Sequence, residues 1–167
     1  MLFRSETVLA ACQFLQQAAG IFSVPTLLTE QYPKGLGPVV PGLLESATEI
    51  PRVAKLRFSA AVEILQHVQR LNETRAEPIR QICLAGIETH VCVLQTALEL
   101  LGSGLQVFTA ADATGSRFEG DRQLGLQRMS AAGVQIAAAE SLAFEWCGTA
   151  EHPRFRELSQ LVRHRGY

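Results

Sequence analysis

Cys92 is the residue of this sequence best placed for covalent chemistry. It lies in the segment GIETHVCV, residues 86–93, after an apolar run (79–87) that is typical of a buried strand, and a helix is predicted from 89 to 101. Cys92 would then occupy the first turn of a helix at the carboxyl edge of a sheet, where α/β proteins bind ligands. A helix N-terminus favours the nucleophilic thiolate and can hold an oxyanion. By position alone, a nucleophile and a buried core residue are equally good interpretations.

The other three cysteines, Cys12, Cys83 and Cys147, have no comparable position and are interpreted as packing residues. The four spacings are wide and irregular, with no C-x-x-C pair and no zinc-like cluster. This usage indicates free thiols in a reducing compartment, and we expect a cytoplasmic protein without a metal or other cofactor.

The elements that would position Cys92 alternate between helices and strands. Helices are predicted at 5–20, 59–72, 89–101, 120–132, 141–147 and 152–164, and strands at 23–29, 48–54, 79–87, 105–111 and 134–138. This order predicts one α/β domain over residues 1–167, a three-layer, doubly wound and mostly parallel sheet. Doubly wound folds usually open with a central strand, but this chain opens with a helix. We therefore expect the first central strand to be missing, which would leave a cleft in the sheet.

Several motifs, in the same order along the chain, resemble those of the isochorismatase-like cysteine hydrolases. GIETHVCV resembles the family's nucleophile turn, and residues 55–59 (KLRFS) resemble its lysine motif. Asp112-Ala113, Arg128-Met129 and Glu140-Ser141 resemble later segments. TEQYPKGLG (29–37) and HPRF (152–155) are similar to the subgroup of isochorismatase domain-containing proteins. The resemblance covers nearly the whole chain and favours Cys92 as the nucleophile.

The resemblance implies a Cys-Asp-Lys triad that attacks a carbonyl, usually of an amide. Cys92 matches the nucleophile and Lys55 the lysine, although a solvated surface position is the commoner fate of a lysine. It also implies a cis peptide bond between Ile87 and Glu88, with the Glu88 and Cys92 amides as the oxyanion hole. Glu88 and His90 side chains would be solvent-facing, and His90 as an alternative base stays open.

Three further residues are expected to shape the substrate pocket through the same resemblance. They are the loop residues Gln31, Tyr32 and Leu36.

Two departures from the family pattern limit what the resemblance implies. The triad aspartate belongs on a first strand, yet the only aspartates, Asp112 and Asp121, lie far downstream, and Glu6 follows the expected position. We expect a truncated start and a site impaired for amide cleavage.

Residues 30–50 contain no histidine or aspartate, which argues against a zinc-dependent nicotinamidase. Isochorismate hydrolysis uses relatives without the cysteine, so Cys92 argues against that reaction.

Composition narrows the remaining function classes. With 47% hydrophobic residues, a net charge of -1 and no basic block, the chain should fold and should not bind nucleic acid. No apolar run reaches the ~20 residues that span a bilayer, and no signal peptide is evident. The leading hypothesis is a hydrolase of a small amide or related C–N bond. The alternative is a catalytically silent, homo-oligomeric interaction protein; homo-oligomers are expected in either case.

Overall fold

The computed structural model describes residues 2–44 and 50–165, with only the backbone described for residues 2–5. The chain folds into eight α-helices, one π-helical turn and five strands within these ranges. The helices are α1 (Leu2–Ile21), α2 (Pro33–Leu36), α3 (Pro41–Leu44), α4 (Ala61–Asn72), α5 (Leu94–Gly102), α6 (Glu119–Ala132), α7 (Ala139–Cys147) and α8 (Phe155–Arg163). The strands are β1 (Leu28–Gln31), β2 (Arg52–Lys55), β3 (Gln81–Ile87), β4 (Gln106–Gly115) and β5 (Gln135–Ala137). The first residues of the predicted strand at 48–54 lie outside the described ranges.

Every strand pair among these residues is parallel, which confirms the predicted α/β class. β1 pairs with β2, and β3, β4 and β5 form a second ladder in that order. In the second ladder Gln81 is opposite Gln106 and Ile87 is opposite Gly115. A register shift between Leu84 and Gly86 lets β4 follow β3 to its carboxyl end.

Helices pack on both faces of the β3–β4–β5 ladder and produce three layers. On one face α1, α7 and α8 meet β4 around a cluster that includes Phe14, Leu142 and Leu158. On the other face α4, α5 and α6 surround a cluster that includes Leu100 and Met129, both with no exposed surface. Burying each such side chain stabilises the fold by roughly 1.5–3 kcal/mol. These two clusters hold β3 and the turn that follows it in place.

A large cavity separates the two ladders. β1 and β3 do not pair in the described part of the chain, and the space between them belongs to a cavity of about 2970 Å³. Side chains of α1, such as Val8 and Leu15, and of α4, such as Ile64 and Val68, line it as well. The five strands therefore form two separate ladders in the described part of the chain.

Within the described ranges, no helix has the length and apolar character needed to cross a membrane.

Candidate active site

The end of β3 redirects the chain into the turn that carries Cys92. Gly86 has a φ of 121°, a conformation that residues with a Cβ rarely adopt, so glycine suits this position. The next peptide bond, Ile87–Glu88, is cis, as the family resemblance implies. The Ile87 side chain is exposed, whereas that of Glu88 is half-buried.

Cys92 lies in a π-helical turn rather than in the regular α-helix that the sequence predicts. The turn spans Thr89–Val93, and the Glu88 carbonyl oxygen accepts the N–H groups of Val91 and Val93, each at 3.2 Å. The α-helix α5 begins only at Leu94. Short π-helical turns are frequent at functional sites. The half-buried Cys92 thus sits at the carboxyl edge of the sheet, before the α-helix proper.

The loop after β4 and the start of α6 fasten this turn from the side. Oε1 of Glu88 accepts hydrogen bonds from the backbone nitrogen (3.1 Å) and Nε (3.0 Å) of Arg117. A Cβ at Gly125 would lie 3.0 Å from Cα of His90, so any larger residue would push α6 and this turn apart by a few tenths of an ångström. Glu88 is therefore a structural anchor, not the solvent-facing residue that the sequence predicts.

His90 links the turn to two neighbouring elements. Its Nδ1 lies 3.0 Å from Oγ of Ser116, and its Nε2 lies 3.8 Å from Oδ2 of Asp121 and 4.0 Å from Oε2 of Glu88. The imidazole is half-buried, which departs from the solvent-facing position that the sequence predicts. His90 is not among the residues that line the cavity, whereas Ser116 is.

Lys55 ends β2 and is buried at the cavity wall, with 6% of its surface exposed. Its Nζ donates to Oε1 of Gln31 at 2.5 Å and to the carbonyl oxygens of Arg57 (3.1 Å) and Phe58 (2.7 Å). All three acceptors are neutral, and within the described ranges no carboxylate pairs with this ammonium group. Lys55 is therefore not a solvated surface lysine but a desolvated positive charge facing the cavity.

One hydroxyl connects the lysine segment to the cysteine turn. Oγ1 of Thr96 accepts the backbone N–H of Ala60 at 2.9 Å and donates to the carbonyl oxygen of Cys92 at 2.7 Å. Ala60 follows closely on Phe58, whose carbonyl oxygen binds Lys55. This buried bridge fixes the relative position of the two motifs.

The cavity brings together most of the residues that the sequence singles out. Those that line it are Gln31, Leu36, Lys55, Ile87, Glu88 and Cys92. Tyr32 is not among them. It has a left-handed backbone (φ 42°), and its ring lies where a Cβ on Gly35 would be only 2.2 Å from it.

The remaining cysteines differ from Cys92 in their surroundings. Burial, reinforced by the charge of Asp112, raises the pKa of Cys12 to about 11. Burial, with contributions from Cys12 and Asp112, raises the pKa of Cys83 to about 12. Cys147 is 4% exposed. Because the thiolate is the reactive form, these raised pKa values disfavour reaction of Cys12 and Cys83 at neutral pH.

Both aspartates are occupied away from Lys55. Oδ1 of Asp112 accepts the backbone N–H of Ala139 at 2.7 Å, and its other oxygen pairs with Arg165. Asp121 faces His90. In the described part of the chain, no group of three or more His, Cys, Asp or Glu residues is arranged to hold a metal ion.

Thr96, Ser116 and Arg117 are site residues that the sequence reasoning missed. Thr96 follows Cys92 by four residues, the spacing at which a threonine hydroxyl reaches back to a helical carbonyl, and this signal was available. Ser116 and Arg117 depend on the β3–β4 register, which no local pattern reveals.

Comparison with known proteins agrees with this geometry. The chain matches the isochorismatase domain model over residues 2–141. It is 40% identical over 164 residues to isochorismatase domain-containing protein 2 of Bos taurus, covering 98% of this chain and 76% of the relative. It is 35% identical to isochorismatase domain-containing protein 1 of Danio rerio, covering 93% and 53%.

Solved structures share the fold. A Caenorhabditis elegans protein described as MAR1 ribonuclease has a TM-score of 0.87 at 35% identity, covering 97% of this chain and 82% of that one. The Escherichia coli YcaC gene product, described as an octameric hydrolase of unknown specificity, has a TM-score of 0.83 at 28% identity, covering 96% and 77%. YcaC from Pseudomonas aeruginosa, solved with hexane-2,5-diol and covalent acrylamide, has a TM-score of 0.70 at 28% identity, covering 96% and 81%. Together with the family match, these similarities show that the chain belongs to the isochorismatase domain family and has its hydrolase-like fold.

Proposed function

We propose that this protein hydrolyses a small amide or a related C–N bond through a covalent intermediate on Cys92. One observation carries the proposal: a half-buried cysteine in a non-α-helical turn and a desolvated lysine line the same cavity at the carboxyl edge of the sheet. An ammonium group close to a thiol stabilises the thiolate, and the effect is stronger where the ammonium group is desolvated, as that of Lys55 is.

The reaction has two steps. The Cys92 thiolate attacks the carbonyl carbon, the C–N bond breaks, and the amine leaves with a proton, so that an acyl thioester remains. Water then attacks the thioester, the C–S bond breaks, and the acid product and the thiolate are released. Lys55 favours the thiolate in both steps, and the backbone amides of Glu88 and Cys92 are the proposed donors to the oxyanion.

Leu36 and Gln31 are the proposed contacts for the substrate's non-reacting part. Both line the cavity, and Gln31 is held by its bonds to Lys55 and to the carbonyl oxygen of Leu56. Tyr32, which does not line the cavity, stays a predicted contact for a substrate that reaches the entrance.

The named neighbours support this chemistry in different degrees. Covalent acrylamide in the Pseudomonas aeruginosa protein shows that a fold neighbour reacts with an amide-bearing electrophile. The Escherichia coli neighbour is described as a hydrolase. The Caenorhabditis elegans neighbour is described as a ribonuclease. The charge of this chain does not favour RNA as a substrate, because a net charge of -1 offers little to attract RNA.

Within the described residues no carboxylate pairs with Lys55, so acid catalysis should limit amide cleavage. A positioned acid contributes typically 10²–10⁴-fold to such a step. We therefore expect activated esters, whose leaving groups need no proton, to be cleaved much faster than amides.

A homo-oligomer in a reducing, cytoplasmic compartment completes the proposal. The four cysteines are unpaired, and a structural neighbour is described as octameric.

The test is Cys92-dependent turnover. Hydrolysis of 4-nitrophenyl acetate and mass-resolved labelling by acrylamide should both disappear in Cys92→Ala. Cys147→Ala is the matched control, because it removes a buried thiol that does not line the cavity. It should leave both the hydrolysis and the labelling unchanged. Activity that survives Cys92→Ala would contradict the proposal. The absence of both turnover and labelling in the unmodified chain would favour the silent interaction protein.

A further inference from the structure

We propose that Ser116 and His90 form a proton relay that serves the leaving nitrogen at Cys92. The proposal rests on the proposed function and assigns the acid and base that Lys55 and Cys92 do not supply. Its basis is the 3.0 Å contact between Ser116 Oγ and His90 Nδ1, together with the position of Ser116 on the cavity wall.

The position of Ser116 follows from the strand pairing. Gly115 is opposite Ile87 in the β3–β4 ladder, so Ser116 leaves β4 beside the point where Glu88 leaves β3. Glu88 in turn anchors the π-helical turn of Cys92, because its carbonyl oxygen accepts the N–H of Val93. Ser116 and Cys92 therefore emerge at the same edge of the sheet and line the same cavity.

Ser116 lines the cavity and lies within hydrogen-bond distance of the His90 ring. The imidazole itself is not part of the lining, and its other nitrogen, Nε2, faces Asp121 at 3.8 Å and Glu88 at 4.0 Å. The two carboxylates are too distant for hydrogen bonds, but their negative charges favour a proton on Nε2, which leaves Nδ1 to exchange a proton with the Ser116 hydroxyl. The Asp121 carboxylate, the His90 imidazole and the Ser116 hydroxyl thus follow one another, and the hydroxyl lies at the cavity wall.

Neighbouring contacts hold this row in place. Arg117 binds Oε1 of Glu88 through two nitrogens, which leaves Oε2 of Glu88 on the His90 side. The close approach of Gly125 to the backbone of His90 fixes α6, and with it Asp121. A geometry held by packing from three elements is suited to proton transfer, which depends on hydrogen-bond distance.

The proton balance closes over both steps. As the C–N bond breaks, its electron pair goes to nitrogen, which takes the Ser116 hydroxyl proton while Nδ1–H of the His90 imidazolium replaces it. The products are a neutral amine, the Cys92 thioester and neutral His90. When water attacks the thioester, the water gives a proton to Oγ of Ser116, and the Ser116 hydroxyl proton returns to Nδ1 of His90. The acid and the Cys92 thiolate are released, and the imidazolium is restored.

The experiment compares two substrates with the same acetyl group and different needs for a proton. The 4-nitrophenolate of 4-nitrophenyl acetate leaves unprotonated, whereas the amine of 4-nitroacetanilide requires a proton. Ser116→Ala and His90→Gln should lower kcat/KM for the anilide about 10- to 100-fold, within the range of acid–base catalysis, and change that for the ester by less than about twofold. Ser116→Thr, which keeps a hydroxyl, should retain the anilide rate. Ser130→Ala, an exposed α6 serine, is the matched control and should change neither.

The outcomes separate the relay from the proposed function. A Cys92-dependent ester rate with an unchanged anilide-to-ester ratio in Ser116→Ala overturns the relay alone. Anilide cleavage too slow to detect in a protein that cleaves the ester through Cys92 also overturns it, because a working relay predicts amide cleavage. An ester rate that survives Cys92→Ala overturns the proposed function. An equal loss on both substrates indicates a merely structural role for Ser116 and likewise rejects the relay.

Discussion

The carbonyl oxygen of Cys92 accepts a hydrogen bond from the Thr96 hydroxyl at 2.7 Å, and the same hydroxyl accepts the backbone N–H of Ala60 at 2.9 Å. Thr96 and Ala60 are each 4% exposed, so the Ala60 N–H has no access to water if the hydroxyl is removed. The nucleophile turn and the segment after Lys55 thus share one buried atom.

Thr96→Val should destabilise the protein and disturb the site together. An unpaired buried N–H costs roughly 1–3 kcal/mol, and we expect a loss of that size in urea unfolding. Alkylation of Cys92 by iodoacetamide should also become slower, because the turn loses its tie to the Lys55 segment. Thr96→Ser keeps the hydroxyl and should restore most of both properties. A Thr96→Val protein with unchanged stability and unchanged Cys92 reactivity would contradict the bridge.

The four thiols should react in a fixed order. At neutral pH, pKa values of about 11 and about 12 leave Cys12 and Cys83 almost wholly protonated, and Cys147 is buried. Mass-resolved iodoacetamide labelling of the native protein should therefore modify Cys92 first. Lys55→Met, which removes the positive charge from the cavity wall, should slow the labelling of Cys92 without accelerating that of the other thiols. Equal labelling rates for the four thiols would remove the basis for Cys92 as the nucleophile.

The same two buried thiols predict a loss of stability at alkaline pH. Their pKa values are raised in the folded state from an ordinary value of 9.0, so folding favours the protonated forms. This contribution is complete below about pH 9 and is lost as the pH rises toward 11 and 12, because the unfolded chain releases these protons first. Cys83→Ala should flatten the decline in the free energy of unfolding between pH 9 and 11 relative to the unmodified protein. Cys147→Ala is the control, and identical slopes in all three proteins would reject the assignment.

Sequence patterns predicted the elements well where local signals are strong. α6 was expected at 120–132 and lies at Glu119–Ala132, because Gly133 ends it in a left-handed conformation (φ 104°). β1 was expected at 23–29 but lies at Leu28–Gln31. Pro25 lacks an N–H for the ladder, and Ser23 has a positive φ of 54°, so the strand starts later. Its polar end is fixed by tertiary contacts, as when Gln31 binds Lys55.

In the candidate site, too, the residues marked by a local motif could be predicted, and those placed by strand pairing could not. A local motif placed Cys92, and the family resemblance selected Lys55 and the Ile87–Glu88 bond. Ser116 could not be found in this way, because β4 was expected to end at residue 111 and continues to Gly115. The extension accompanies an irregularity in the pairing, in which β4 advances from Thr109 to Thr114 while β3 advances from Leu84 to Gly86, and this is a property of the pair and not of either segment.

Self-association should depend on apolar side chains that the single chain leaves exposed. Leu56, at the end of the Lys55 segment, is 76% exposed, and Phe118 at the start of α6 is 68% exposed. Exposed groups of this kind commonly mark contact surfaces. Light scattering should give a mass of at least a dimer, and Leu56→Glu should lower it. Leu124→Glu, at a 60% exposed α6 position, tests whether any added charge has this effect. A monomeric unmodified chain would contradict the expectation of a homo-oligomer.

The divided sheet predicts an alternating pattern of amide exchange along β1 and β3. In β1 the N–H of Leu28 donates to Pro51, so Leu28 faces β2 while the next residue, Thr29, faces the cavity. In β3 the carbonyl oxygen of Arg80 accepts from Gln106, so Arg80 faces β4 and Gln81 faces the cavity.

Hydrogen exchange followed residue by residue by NMR should resolve this pattern. Within β1, Thr29 should exchange at least about tenfold faster than Leu28, since a ladder hydrogen bond protects only the latter. Within β3, the cavity-facing amide of Cys83 should exchange faster than its neighbour Ile82, which faces β4. The β4 strand is the internal control, because it pairs on both sides and should show no such alternation over Phe108–Ala110. Uniform protection along β1 and β3 would mean that the cavity-facing edges find hydrogen-bond partners in solution, and the two ladders would then not be separate.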